Sequence, residues 1–138
     1  MRFQARRSDL SKNIETIRGL YAAFAKGDIP AVLGAMDPQV EWTEAEGFPY
    51  AGTYVGPDAV LQGVFMRLGT EWDGYQAAAD EVLDVGDTVV GLGHYSGRYK
   101  ATGKEFRAPF AHVFRLRDGK IVKFQQYTDT AVVQATLR

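Results

Sequence analysis

The second half of the chain constrains the fold most, because it reads as one antiparallel series of strands. After Trp72, apolar and polar residues alternate in four runs that short turns separate. We predict strands over residues 75–85, 88–100, 106–117 and 120–128. The last two runs flank Asp118-Gly119, the pair that a tight type I′ turn prefers, so the chain should close in a β-hairpin.

Helical segments come before these strands. Apolar residues recur at helical spacing from Asn13 to Lys26, and Gly27 ends this first helix. Asp28 is the predicted cap of a second, short helix over 28–36, and 40–44 reads as a strand. A loop rich in Gly and Pro then leads into a third helix over 57–68.

This order of elements predicts an α+β fold, with a strongly curved mixed or antiparallel sheet wrapped around the N-terminal helices. A cone of this shape leaves a cavity between helices and sheet, the usual place for a small-molecule site. Residues 13–138 are predicted to form one domain, since this length suffices for a single core. Residues 1–12 are predicted to be a flexible arm.

Composition argues against several classes of function. The net charge is −1, so no basic field attracts nucleic acid, and no apolar segment is long enough to cross a membrane. There is no cysteine, and the two histidines, His94 and His112, stand in no metal-binding spacing. No Gly-rich phosphate loop follows a strand. We therefore expect no cofactor, no metal and no nucleic-acid or membrane partner. The N-terminus lacks a signal-peptide pattern, so the expected location is cytoplasmic.

Three segments carry a family resemblance: "AKGDIPAVLGAM", "VEWTEAEGFPYAGTYVGPDAV" and "GKIVKFQQYTDT". Together with the order of elements, they resemble the SnoaL-like group of the nuclear transport factor 2-like (ketosteroid isomerase-like) superfamily over residues 13–138. The resemblance implies a cone-shaped α+β barrel that is commonly a homodimer through the outer face of its sheet. It also implies a small hydrophobic molecule as partner. The superfamily includes polyketide cyclases, limonene epoxide hydrolase, ketosteroid isomerase and non-catalytic binding modules, so activity depends on the site.

The catalytic patterns of these enzymes do not transfer to this sequence. Matching to ketosteroid isomerase places Leu20, Trp42 and Pro109 where that family has its oxyanion tyrosine, general base and protonated carboxyl. Matching to limonene epoxide hydrolase places Gln126 at the carboxylate that activates water, and the polyketide cyclase base matches the same position. An amide cannot accept a proton near neutral pH, so neither inherited mechanism applies.

Strand alternation assigns the two faces of the closing hairpin. Counting from the Asp118-Gly119 turn without a bulge pairs Val113 with Phe124 and Ala111 with Gln126, and these residues then face the pocket. The other face is expected to join two subunits. It carries Phe110, His112, Phe114, Ile121, Gln125 and Tyr127. A β-bulge would exchange the two faces beyond it.

Three residues are candidates for acid–base chemistry. Glu44 is the nearest carboxylate that could replace the missing base, unless it is a solvated strand end. His112 is either a proton carrier, since an imidazole titrates near neutrality, or a hydrogen-bonded core or interface histidine. Gln126 is either a polar group of the pocket or a structural amide. His94 and Asp129 also stay open: the first as a catalyst or a half-exposed side chain, the second as a functional carboxylate or a helix cap.

The pocket wall is expected to be apolar. Its predicted lining is Leu20, Trp42, Tyr54, Phe65, Val113 and Phe124, with Tyr54 in a Gly-flanked loop over the mouth. Two functions remain open. One is an isomerase, cyclase or hydrolase that acts on a small hydrophobic substrate by acid–base chemistry. The other is a non-catalytic module that binds a hydrophobic ligand or serves as a structural dimer.

Overall fold

The computed structural model describes the backbone of residues 7–138 and the side chains of residues 12–138. The helices are α1 (Arg7–Lys26), α2 (Ile29–Gly34), α3 (Pro57–Val60), α4 (Met66–Glu71) and α5 (Thr130–Thr136), and a π-helical turn, Leu61–Phe65, joins α3 to α4. The strands are β1 (Met36–Glu44), β2 (Gly52–Val55), β3 (Trp72–Val85), β4 (Thr88–Tyr99), β5 (Glu105–Arg117) and β6 (Lys120–Thr128).

The strands form one open, mixed sheet in the order β2-β1-β6-β5-β4-β3. Strands β1 and β6 run parallel, and every other neighbouring pair is antiparallel. Helix α1 packs against β3 and β4, and the hydrophobic core lies between the helices and one face of the sheet. The predicted α+β fold class is confirmed. Over residues 7–138, no helix combines the length and apolar character that a membrane crossing needs.

Several elements begin where the sequence indicates. Asp28 caps α2 by accepting a hydrogen bond from the Ala31 backbone N–H at 3.2 Å. Asp129 caps α5 in the same way, accepting from the Val132 N–H at 3.3 Å, so its capping interpretation is correct. Asp118 and Gly119 have φ values of 52° and 77°, as a type I′ hairpin turn requires.

Other boundaries differ from the prediction. Helix α1 begins at Arg7 rather than Asn13, so residues 7–12 of the predicted arm are helical, and residues 1–6 lie outside the described part of the chain. Helix α2 ends at Gly34, and β1 begins earlier than predicted, at Met36. Strand β2 was expected to be loop because glycine and proline surround it. It forms because the edge of β1 offers unpaired backbone groups to four extended residues.

A β-bulge in the closing hairpin changes the predicted faces. Arg117 pairs with Lys120 and Leu116 with Ile121, but Arg115 pairs with Lys123, which leaves Val122 as the extra residue. Every pairing beyond the bulge is therefore shifted by one residue from the unbulged count.

The predicted pairs Val113–Phe124 and Ala111–Gln126 are consequently wrong. Phe114 lies opposite Phe124, and His112 lies opposite Gln126. All four of these side chains are buried, whereas Val113 and Ala111 lie on the outer face.

The expected dimer face changes for the same reason. Phe110, Phe114 and Ile121 belong to the buried core and not to the outer face. Tyr127 and Gln125 remain on the outer face, and Tyr127 is 56% exposed.

Candidate functional site

A cavity lies between α1, the π-helical turn and the inner face of the sheet. Its volume is about 40 Å³, counted as the space that the centre of a water molecule can occupy. One buried water needs roughly 10–15 Å³ on this measure, so the cavity holds a few waters in this arrangement. All but two of the predicted site residues line it: Leu20, Trp42, Glu44, Phe65, His112, Phe124 and Gln126.

Glu44 brings a carboxyl group into this apolar space. It is the last residue of β1, is only 5% exposed, and forms no salt bridge with any residue that the structure describes. Burial raises the pKa of Glu44 to about 8, and the nearby indole of Trp42 offsets this rise in part. The interpretation as a solvated strand end is therefore wrong. At neutral pH the carboxyl group is mostly protonated and can donate a hydrogen bond.

His112 and Gln126 belong to a chain of buried hydrogen bonds. The Nδ1 atom of His112 lies 2.8 Å from the Tyr21 hydroxyl, and its Nε2 atom is hydrogen-bonded to the Tyr95 hydroxyl. Gln126 donates from Nε2 to the Tyr95 hydroxyl at 2.9 Å and accepts at Oε1 from the Ala45 backbone N–H at 3.0 Å. Both ends of the Gln126 amide are thus occupied by protein partners.

Burial also fixes the charge of this chain. It lowers the pKa of His112 to about 3, so the imidazole is neutral at physiological pH. A neutral imidazole has one donor and one acceptor nitrogen, so one tyrosine donates to His112 and the other accepts from it. Exchange of the histidine tautomer would reverse both bonds. The chain is therefore an uncharged network that holds the Tyr21 and Tyr95 hydroxyls in fixed positions on either side of His112.

Flat aromatic surfaces make up much of the cavity wall. The rings of Trp42 and Phe124 are stacked with centroids 3.8 Å apart and an interplanar angle of 18°. Phe65 meets the Trp42 ring edge-on at 5.7 Å, and Phe114 does so at 6.4 Å. A planar ligand would contact these aromatic rings together with aliphatic side chains such as Leu20, Val32 and Leu68.

Two predicted lining residues lie elsewhere. Val113 is on the outer face because of the bulge. Tyr54 lies on β2 rather than in a loop, and its hydroxyl donates to the backbone carbonyl of Tyr50 at 2.8 Å. The Tyr54 ring covers Gly63 of the π-helical turn so closely that a Cβ atom there would lie 2.2 Å from the ring.

His94 and Asp129 do not reach the cavity. The Nδ1 atom of His94 pairs with the exposed carboxylate of Asp80 at 2.9 Å, which matches the half-exposed interpretation. Asp129 is the exposed cap of α5. Neither residue lines the cavity. Among the described residues, no group of three or more histidine, aspartate and glutamate side chains is placed to hold a metal ion.

The site also contains three tyrosines that sequence reasoning missed: Tyr21, Tyr75 and Tyr95. The sequence of β4 contains a signal for this. Gly91 and Tyr95 lie on the same, inward face of the strand, so a small residue there leaves room for a large polar side chain from another element. A Cβ atom at position 91 would lie 2.0 Å from the Tyr21 hydroxyl oxygen. Glycine is needed there to let α1 bring this hydroxyl to His112.

The fold and the cavity define a class of protein, an α+β cone with a largely aromatic internal pocket. The SnoaL-like domain family matches residues 17–124, and the chain belongs to this family. The resemblance read from the sequence is thereby confirmed. Comparison with curated protein sequences gives no match.

Solved structures agree with this assignment. A nuclear transport factor 2-like protein from Burkholderia thailandensis E264 is 46% identical, with a TM-score of 0.89 over 91% of this chain and 97% of that one. A protein of the same fold and unknown function from Burkholderia pseudomallei K96243 is 31% identical, with a TM-score of 0.84 over 91% and 96%. TerC, co-crystallised with polyporic acid, is 29% identical, with a TM-score of 0.82 over 91% and 98%.

Proposed function

We propose that the cavity binds a small hydrophobic molecule and that Glu44 is the acid–base group of an isomerase, cyclase or hydrolase reaction. One observation carries this proposal: a buried carboxyl group without a cationic partner lies in an aromatic cavity. A charge in such a place is costly to maintain for stability alone, and groups with strongly shifted pKa values concentrate at functional sites.

The shifted pKa suits proton transfer. A general acid or base is most efficient when its pKa lies near the working pH, and burial brings Glu44 to about 8. The protonated form can give its proton to a carbonyl or epoxide oxygen, and the carboxylate can take one back. In this proposal Gln126 and His112 hold the tyrosine hydroxyls in position and do not act as the base. The co-crystal of TerC with polyporic acid supports small-molecule binding in a related protein.

The cavity must widen to admit a ring-sized ligand. An apolar cavity of roughly 150 Å³ accepts benzene, whereas this one has about 40 Å³. The π-helical turn that carries Val64 and Phe65 is the element best suited to move, since such turns are weakly stabilised and occur often at functional sites. We propose that ligand entry displaces this turn.

The test compares three proteins on a panel of epoxides and activated ketones: wild type, Glu44→Gln and Glu46→Gln. Glu46 is an exposed glutamate two residues away and serves as the matched control. We expect turnover by wild type and Glu46→Gln and loss of turnover in Glu44→Gln. Carbon-detected NMR of the glutamate carboxyl groups provides a measurement without substrate. A Glu44 resonance that titrates near 4.5 would refute the proposed role.

The alternative is a module that binds without chemistry or serves as a structural dimer. One observation favours it: the residue at the matched catalytic position, Gln126, is an amide with both ends hydrogen-bonded inside the protein. Binding of panel members without turnover would support the ligand-binding module. Absence of both binding and turnover would leave the structural dimer as the better account.

We also propose that the protein is a homodimer through the outer face of the sheet. Support comes from apolar residues that pair across neighbouring strands on this face: Val90 with Val113, and Leu92 with Ala111. Ala111 in turn lies opposite the exposed ring of Tyr127. A second subunit packed on these residues would remove their apolar surface from water.

Sedimentation equilibrium tests the dimer. We expect a dimer at micromolar concentration and a monomer for Tyr127→Lys. Met66→Lys is the matched control, because Met66 is 48% exposed but lies on α4 and not on the sheet. A monomeric wild type would contradict the proposal.

A further inference from the structure

Two hydrogen-bond donors at the cavity have no partner. The indole N–H of Trp42 and the hydroxyl of Tyr75 are buried and make no hydrogen bond with any residue that the structure describes. Both residues line the cavity, and Trp42 is 4% exposed. Buried polar groups in native proteins are nearly always satisfied, so each unpaired group requires an explanation.

The surrounding rings hold both donors in place. The Trp42 indole is held by two contacts: it stacks on the Phe124 ring, and the Phe65 ring meets it edge-on. The Tyr75 ring packs against the rings of Trp72 and Tyr95 at centroid distances of 5.7 and 5.5 Å. These contacts restrict how far either ring can turn. The Glu44 carboxyl group is near enough to the Trp42 indole for the indole to favour its charged form, but the two groups do not meet in hydrogen-bond geometry. Trp72 shows the contrast, because its indole N–H donates to the Tyr50 hydroxyl at 2.9 Å.

We infer that Trp42 Nε1 and Tyr75 Oη, together with the Glu44 carboxyl group, form a donor subsite for a carbonyl-type oxygen on a flat, uncharged ligand. This inference rests on the proposed small-molecule pocket and specifies what the pocket recognises. A carbonyl oxygen has two lone pairs and needs no acceptor from the protein, so it can satisfy donors that have none. Aromatic side chains in the lining, among them Trp42, Phe65 and Phe114, provide apolar surface that a ring-bearing ligand can contact.

The subsite would also orient the ligand for chemistry. An oxygen bound by the two donors would stay close to the carboxyl group of Glu44, whose charged form the Trp42 indole already favours. Donors fixed before the ligand arrives also stabilise negative charge that develops on that oxygen, without reorganisation of the site. Recognition of the oxygen and proton transfer to it would then use the same corner of the cavity.

Matched one-ring probes test the inference. Acetophenone carries the carbonyl oxygen, α-methylstyrene replaces that oxygen by a CH₂ group, and 1-phenylethylamine carries a cation. Binding is measured by NMR titration of the full chain, with the indole N–H of Trp42 as reporter and that of Trp72 as internal reference. We expect acetophenone to bind at least about ten-fold more tightly than α-methylstyrene, since two donors would gain an acceptor. The Trp42 N–H signal should move downfield while the Trp72 signal stays in place.

Variants separate the donors from the rest of the pocket. Tyr75→Phe should reduce the preference for acetophenone several-fold and leave α-methylstyrene binding unchanged. Tyr99→Phe, which removes a hydroxyl outside the cavity lining, should behave as wild type. Equal binding of acetophenone and α-methylstyrene would overturn the donor subsite while leaving the hydrophobic pocket intact. Tightest binding by 1-phenylethylamine would overturn it in favour of a carboxylate–cation site. If no probe binds, both the subsite and the proposed pocket function fail.

Discussion

The buried carboxyl group of Glu44 predicts an unusual dependence of stability on pH. Its pKa is about 8 in the folded protein and 4.5 for the unfolded chain, so the folded state holds an extra proton between these values. Stability must then fall as the pH rises through this window, because the unfolded state binds fewer protons than the folded one. Replacing Glu44 by Gln removes the group with little change in size. The variant should lack this fall.

The size of the effect is best measured between pH 6.5 and 8. Below that range His112 contributes with the opposite sign, because its pKa is about 3 when folded and 6.5 when unfolded. Each pH unit is worth about 1.4 kcal/mol per proton, so wild type should lose roughly 2 kcal/mol relative to Glu44→Gln between pH 6.5 and 8. For a domain of this size, that difference corresponds to about 6 to 8 °C in Tm. Burial raises the pKa of the cavity tyrosines Tyr75 and Tyr95, so neither contributes in this range.

Urea unfolding followed by circular dichroism at several pH values measures the difference. Subtracting the two proteins at each pH cancels every group they share. Glu46→Gln removes an exposed carboxylate and not a buried one, so its curve of stability against pH should be parallel to that of wild type. If the wild-type and Glu44→Gln curves are parallel from pH 6.5 to 8, then Glu44 is charged throughout, and the reasoning from burial is wrong.

Three further predictions concern stability. Gly91→Ala should cost about 1–3 kcal/mol, because the new Cβ atom would lie 2.0 Å from the Tyr21 hydroxyl oxygen; Gly69→Ala, with open space in α4, should stabilise by about 0.5–1 kcal/mol. Thermal unfolding distinguishes these outcomes, and a harmless Gly91→Ala would contradict the close approach. Asp129→Ala should lose about 1 kcal/mol with the cap of α5, which urea unfolding measures. As the pH falls from 6.5 towards 3, wild type should lose stability relative to His112→Asn, because the folded protein resists protonation of His112; equal slopes would contradict this.

Local chemistry explains which parts of the fold could be predicted. The Asp118-Gly119 pair strongly favours the type I′ hairpin turn, and both residues adopt the positive φ that this turn needs. Asp28 and Asp129 cap helices because a short acidic side chain reaches the free N–H groups of the first turn. These features depend on a few neighbouring residues, so the sequence alone determines them.

The register of β5 against β6 could not be read in this way. Adjacent residues 111–114 are apolar or aromatic on both faces, and Ile121 and Val122 are also both apolar. Apolar side chains therefore face the core whichever of the two alternating sets points inward. The apolar pattern consequently does not reveal that Val122 is an extra, bulged residue. The burial of Glu44 was equally hidden, because a glutamate at a strand end is ordinarily solvated. Its surroundings come from α1, β3 and β4, which are distant in sequence.

The bulge has a consequence for the site that reaches beyond strand pairing. It turns His112 inward, opposite Gln126, so that the two can share the Tyr95 hydroxyl. On the other side of β6, the parallel pairing of Thr43 with Gln125 brings Glu44 level with Gln126. The family resemblance predicts a carboxylate at position 126, and an amide occupies it here. Under the proposed function, the acid is Glu44 on β1, at the same level as position 126 on the neighbouring strand β6. The amide at position 126 anchors the Tyr95 hydroxyl and the backbone N–H of Ala45, the residue after Glu44.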